Sequence, residues 1–440
     1  MTFKLIIMDN IKRRSFLKNS SILTGSLVLP SFSFKKQKQL DKKLKISVVG
    51  CGGRGTGAAV QALRADKNVE LVALCDAFED RLERSLNAII DELDGEMDIK
   101  VKDKNKFVGF DGYKKAIDLA DVVILATPPG FRPQHFEYAV NKSKHIFMEK
   151  PVATDAAGVR RILESAKLVK EKKLNVVVGL QRRYQLSYLD ILKQVRRGVA
   201  GKIISGTVKW NGHGVWVRKR EPQQSELEYQ MRNWYYFNWL CGDHIVEQHI
   251  HNLDVANWFL DEHPISAQGM GGREVRKGID HGEIFDHHYV EFKYPSGAVI
   301  HSQCRHQPGT LRKVNEVLVG TKGVINLRNG GVVTINDHNG NLLHKYDPKN
   351  DISPYQIEHN KLFKSIRSGG QIDDTEYGAT ATMTAIMGRM ATYSGKLIEW
   401  ESAMNADEKL VPDNLSWGST APVLPDNQGK YKVPVPGKSV

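Results

Sequence analysis

The chain has 440 residues, 41% hydrophobic and 26% charged, a globular composition that excludes a wholly disordered protein. Its net charge of +13 is a weak nucleic-acid signal: residues 1–40 hold eight Lys/Arg against one Asp, and no basic-aromatic run follows. The four cysteines, Cys51, Cys75, Cys241 and Cys304, form neither a CxxC pair nor a dense framework and are expected to be free.

At the N-terminus, Lys12-Arg13-Arg14-Ser15-Phe16-Leu17-Lys18 precedes an uncharged, moderately apolar stretch ending at Phe34. The pattern resembles a twin-arginine export signal over residues 1–34, with a linker at 35–43, and implies a periplasmic protein. Its apolar part is too short and too rich in Ser for a stable membrane span. No clear A-x-A cleavage site follows.

Residues 45–55, KISVVGCGGRG, are a β-branched run opening into a GxGxxG turn at Gly50, Gly52 and Gly55. Such a turn predicts a dinucleotide. Gly50 permits the tight turn, Gly52 the approach of a pyrophosphate and Gly55 close packing of helix on strand; Gly53 and Arg54 lie at the same helix start. The helix is expected over 56–67. A second strand, VELVALCD, ends at Asp76, where a carboxylate accepts hydrogen bonds from the adenosine ribose and favours NAD over NADP. Arg81 and Arg84 soften that preference.

A helix at 79–94 and a polar segment lead to a third strand, DVVILATPP at 121–129, which brings Thr127 and Pro128 to the ligand-binding edge of the sheet. Helix 133–142, strand HIFMEKP at 145–151 and helix 155–173 complete a βαβαβ alternation. The fold class is therefore α/β: a doubly wound parallel Rossmann sheet over residues 44–165.

A second, α+β domain is expected over 166–400. It begins with the strand LNVVVGLQ and a helix near 188–198, then builds an open, mainly antiparallel sheet from IISGTVKWN, HHYVEFKYP, AVIHSQCRH, EVLVGT and GVVTIND. Residues 401–440, rich in Pro, Gly and Asn, read as an extended tail. Residues 210–239 are dense in aromatics that suit sugar rings, and Arg232, Asn233 and Trp234 are the favoured substrate contacts, with Arg182. In GDHIVEQHIHNLDVANWF, residues His244, Glu247, His251 and Asp254 share one face if the segment is a single helix, and His249 does not. Glu247 or Asp254 is expected to orient His251. A divalent metal on His244, Glu247 and His251 is the alternative, but no metal is assigned.

The glycine turn with Asp76, the Glu149-Lys150-Pro151 strand end and the acidic-histidine segment from Glu247 to Asp254, in this order, resemble the Gfo/Idh/MocA family of oxidoreductases. EHNKLFKSIRSG at 358–369 and a late helix at 376–395 extend the resemblance. It implies NAD along the Rossmann edge, with Glu149 and Lys150 at the nicotinamide end, and His251 as acid-base with Glu247 beside it. The late helix is expected to return to the first domain. The family commonly has Asp at the position of Glu247 and a small residue at that of His249, so this chain departs at two places. The implied activity is NAD-dependent oxidation of a secondary hydroxyl on a sugar, glycoside or cyclitol by a dimer or tetramer. Redox-neutral glycoside cleavage through a transient 3-keto sugar is the alternative.

Overall fold

The computed structural model describes residues 42–438; the expected export signal and most of the linker lie outside the described residues. Strands β1 (Leu44–Val49), β2 (Val69–Asp76), β3 (Lys106–Val108), β4 (Val122–Leu125), β5 (His145–Met148) and β6 (Val176–Val178) form one parallel sheet of order β3-β2-β1-β4-β5-β6. The order reverses between β1 and β4, and ligands bind in the crevice outside that point. Helix α1 (Gly53–Ala65) starts there directly from the glycine turn. Its buried face, Ala58, Ala59, Ala62 and Leu63, is small enough to lie close against the sheet.

Two features of this sheet differ from the sequence-based expectation. Edge strand β3 and the helix Gly112–Leu119 occupy the segment read as polar connection, because three residues with Lys at one end carry no measurable alternation. Strand β6 joins the first sheet, beyond the expected boundary at 165.

The second sheet has nine strands, ordered β14-β13-β12-β11-β7-β10-β9-β8-β15. In chain order they are β7 (Ile203–Gly212), β8 (Ser266–Gly272), β9 (His287–Lys293), β10 (Val299–His306), β11 (Lys313–Gly320), β12 (Val324–Leu327), β13 (Val333–Asn336), β14 (Leu342–Tyr346) and β15 (Ile398–Glu399). Every pairing is antiparallel except that of β7 with β10. Strand β8, SAQGMGG, escaped prediction because its three glycines carry neither β-propensity nor an alternating pattern.

The long helix Thr375–Ser394 packs between the two sheets. Gly378 lies against Val178 of β6 and Gly388 against Phe292 of β9, so both ends of the contact need a residue without a side chain. Arg389 donates to the Thr154 carbonyl (2.8 Å), a further tie to the first domain. Residues 405–438 form no helix or strand, yet Ala421 and Tyr431 are buried in a cluster with Phe131, Phe237 and Trp239. All four cysteines are free and buried. Among the described residues no helix is long and apolar enough to cross a membrane.

Candidate active site

A cavity of about 680 Å³ opens at the carboxyl edge of β1, β2, β4 and β5, within the ~300–1,000 Å³ usual for ligand sites. Gly50, Gly52, Gly53, Arg54, Asp76, Thr127, Pro128, Glu149 and Lys150 all line it. Gly50 has φ +99°, and a Cβ there would stand 2.4 Å from the Thr127 nitrogen, so glycine is required. Asp76 is clamped: its carboxylate accepts from the backbone N–H of Cys51 (2.7 Å) and of Phe78 (3.0 Å). Burial pushes that carboxyl above its ordinary range, and the two N–H donors oppose the shift.

The turn fits a dinucleotide by its vacancies. A Cβ on Gly52 or Gly53 would meet nothing within 4 Å, which leaves open space over the N-terminus of α1 where a pyrophosphate is received. Gly55 is different. It lies behind the cleft rather than on it, and a Cβ there would sit 1.9 Å from the Gly50 carbonyl oxygen, so its part is packing and not cofactor contact. Gly52→Ala is therefore expected to change the stability of the cofactor-free protein by no more than about 0.5 kcal/mol and to weaken NAD binding by about tenfold or more. Gly55→Ala is expected to disrupt the fold. Thermal melts and NAD titration of the two variants check both statements.

At the far end of the cleft, the Lys150 ammonium donates to the Glu247 carboxylate (2.8 Å) and to the Glu247 carbonyl oxygen. His251 lies in the same wall, 6% exposed, with its ring stacked 5.9 Å from Trp210. Its Nδ1 is buried without a hydrogen-bond partner. Burial, and next the charge of Lys150, hold the imidazole well below the ordinary histidine range. At neutral pH it is uncharged; Nδ1 is closed off from the cleft, so Nε2 is the nitrogen available to accept a proton there.

The segment around these residues is not one helix. His244–Glu247 and Ile250–Leu260 are separate helices, broken at Gln248–His249, so the expected common face of His244, Glu247, His251 and Asp254 does not form. Glu247 turns to Lys150, and Asp254 forms a forked pair with Arg183 (2.8–3.0 Å). Neither orients His251. His244 is fully buried, bonded to Asp243 (2.8 Å) and stacked on His306 (4.5 Å). His249 bonds Ser302 (2.8 Å) beneath the cleft. Among the described residues, the only three potential metal ligands brought within 4.8 Å of one another are Asp243, His244 and His288, which is not the trio considered from sequence. The Asp243 carboxylate there already accepts from the backbone N–H of Phe285 (2.9 Å) and from the Tyr393 hydroxyl, as a structural acceptor would.

The expected substrate residues divide. Trp234 and Arg232 line the cleft, but Arg232 is committed to Glu228 (2.9 Å) and Asp80 (3.2 Å) and lies 4.0 Å over the Phe78 ring. That places it beyond the end of β2, on the adenosine side. Asn233 is fully buried and bonds the Arg218 N–H, the Tyr229 hydroxyl and the Asp280 carbonyl, so it shapes the loop and does not reach the cleft. Arg182 is buried behind the wall in an ion pair with Glu316. Composition alone could not reveal these partners, which come from the segment after β2, the helix Glu226–Arg232, β11 and the loop at Asp280.

Three polar residues that sequence reasoning passed over stand instead beside Lys150 and His251. Gln181, at the carboxyl end of β6, has a buried Oε1 without a partner while its amide donates to the Tyr355 hydroxyl (3.2 Å). Gln248 accepts from His306 (2.7 Å), and Tyr355 packs 4.4 Å from the Arg54 guanidinium. All three line the cavity. The signal for Gln181 was its place just beyond a strand's carboxyl end; that for Gln248 was its spacing, four residues after His244 and three before His251. Together with the flat Trp210 ring they offer the mix of stacking face and hydrogen-bond partners that a polyhydroxylated ring requires.

Comparison with known proteins agrees with this architecture. Residues 44–180 match the family model described as oxidoreductase family, NAD-binding Rossmann fold, and residues 188–326 match the GFO/IDH/MocA C-terminal domain. An inositol 2-dehydrogenase of Rhizobium meliloti (strain 1021) is 24% identical over 336 residues, 75% of this chain and 90% of that protein. Among solved structures, the aldose-aldose oxidoreductase from Caulobacter crescentus, complexed with glycerol, superposes with TM-score 0.63 at 17% identity, over 81% of this chain and 100% of that one. A levoglucosan dehydrogenase in complex with NADH and levoglucosan gives TM-score 0.63 at 15% identity, over 81% of this chain and 99% of that one.

Proposed function

The chain belongs to the Gfo/Idh/MocA family of oxidoreductases, with an NAD-binding Rossmann domain and the family's C-terminal domain, and on that premise we propose that it oxidises a secondary hydroxyl on a sugar, glycoside or cyclitol ring. The observation that carries this reading is the meeting of Lys150, Glu247 and the uncharged His251 at the nicotinamide end of the cleft, beside Trp210 and Gln181. The names of the relatives, inositol and aldose enzymes among them, support a ring polyol as substrate.

NAD, when bound, supplies the hydride acceptor. The residues do the rest. Glu247 fixes the Lys150 ammonium with two hydrogen bonds, which leaves a third donor to hold the substrate oxygen. His251 then takes the hydroxyl proton on its free lone pair, as the carbon–hydrogen bond breaks. Trp210 covers the ring face, and Gln181 accepts from a neighbouring hydroxyl.

The proposal includes export directed by Arg13-Arg14 and assembly as a dimer or tetramer. Outside the cytoplasm free NAD is scarce, so the cofactor would have to travel bound and be regenerated in place. The test is to purify the protein, denature it, and quantify released NAD(H) against protein; the intact protein is then given ring polyols while absorbance at 340 nm and products are followed. Near-stoichiometric NAD with a keto product is the expected result. A free reducing sugar without net redox change would move the assignment to glycoside cleavage, and protein that neither carries nor binds NAD would end the oxidoreductase reading.

A further inference from the structure

We propose that the C-terminal segment 407–431 is a clasp that retains the bound NAD, with Trp417 as its positioning residue; the inference rests on the dinucleotide reading of the cleft. Trp417 packs 5.2 Å from Phe78 and 4.7 Å from Phe110, ring centroid to centroid. Phe78 and Phe110 both line the cavity beside Asp76, at the adenosine end. The tail therefore backs the aromatic wall of the cofactor site.

The wall is coupled to the ribose carboxylate. Phe78 stands two residues after Asp76 and donates its backbone N–H to it at 3.0 Å, so any outward movement of Phe78 carries the carboxylate with it. Arg232 of the second domain, 4.0 Å over the Phe78 ring and bonded to Asp80, holds the same residue from the other domain.

The segment is fastened on both sides of Trp417. Before it, the Leu410 N–H donates to Asp155 (2.7 Å), and Glu408 pairs with Arg389 (3.1 Å). Val411 packs close against Gly130, in the loop that follows β4. After it, Gln230 donates to the Val423 carbonyl (2.5 Å), and the Tyr431 hydroxyl donates to Glu226 (2.6 Å) while its ring meets Phe237 edge-on at 5.0 Å. The first group of anchors belongs to the Rossmann domain and its covering helix, the second to the second domain. A strap tied to both domains, with a tilted aromatic cluster near its centre, resists the opening that dissociation requires.

Trp417→Ala and Trp417→Phe in the full-length protein test the clasp. NAD-loaded protein is diluted, and the released nucleotide is followed with time. Trp417→Ala is expected to release NAD about tenfold faster, since tilted aromatic contacts of this kind are worth roughly that factor, and Trp417→Phe within about twofold of wild type. Should Trp417→Ala fold poorly, limited proteolysis of the wild-type protein replaces it: saturating NAD is expected to slow cleavage within 407–431 about tenfold. Unchanged release by Trp417→Ala, or cleavage indifferent to NAD, overturns the clasp and leaves the NAD assignment standing. Wild-type protein that takes up no NAD overturns both.

Discussion

Replacing His251 by Asn is expected to lower kcat by about 10²–10⁴-fold, the usual contribution of a positioned acid-base group, while the protein still carries NAD. The structural loss is small: the Nδ1 of His251 has no partner, and the contact given up is one ring stack on Trp210. The same reasoning sets the pH dependence. Burial and the Lys150 charge depress the imidazole, so the deprotonated, proton-accepting form persists as pH falls through the ordinary histidine value of 6.5. The acid limb of kcat/KM is therefore expected below that value, and disappears in the Asn variant. A limb at or above 6.5 would assign the base to another group. Lys150, held to Glu247 by two hydrogen bonds, is the rival.

Glu316→Gln is expected to lower stability by about 3–5 kcal/mol, because it strands the Arg182 guanidinium without a counter-charge. Both side chains are almost completely buried, 2% and 0% exposed. Gln can keep its oxygen on Asn252 (2.6 Å) and turn its amide N–H to the Tyr188 hydroxyl (2.9 Å), which then accepts, so the loss isolates the charge and not the hydrogen bonds. Arg182→Met combined with Glu316→Gln is expected to recover most of the loss, since a buried pair is held less by its net attraction than by the cost of leaving either ion alone. Denaturant midpoints of the two single variants and the double variant measure this. A rise confined to KM, with stability intact, would instead return Arg182 to the substrate-binding role that its sequence position suggested.

The Rossmann half of the molecule was readable from sequence because its physics is local. A β-branched run, three glycines with separate steric duties and a carboxylate at the end of the next strand specify the turn within about thirty residues, and no distant partner alters that. Gly50 has φ +99°, and Asp76 is bonded to the N–H groups of Cys51 and Phe78 at the end of β2. Lys150 likewise announces itself from the end of a buried strand beside Pro151. Much of the second domain was legible at the level of alternating strands, and less so where glycine thinned the pattern, as in β8.

Only the tertiary structure decided which polar side chains are free for chemistry. His244, Glu247, His251 and Asp254 share one face in a regular helix, yet the break at Gln248–His249 sends each to a different partner, and only Glu247 and His251 reach the cleft. Arg182 and Asn233 carry the same chemical groups as a sugar-binding residue but are satisfied by Glu316 and by the 229 and 280 segments. The C-terminal tail, without any periodic pattern, brings Trp417 to Phe78 across more than three hundred positions of chain. Propensity and spacing act over a few residues, whereas a hydrogen bond or ion pair consumes a side chain wherever the fold places its partner, and that pairing is set by packing between elements far apart in sequence.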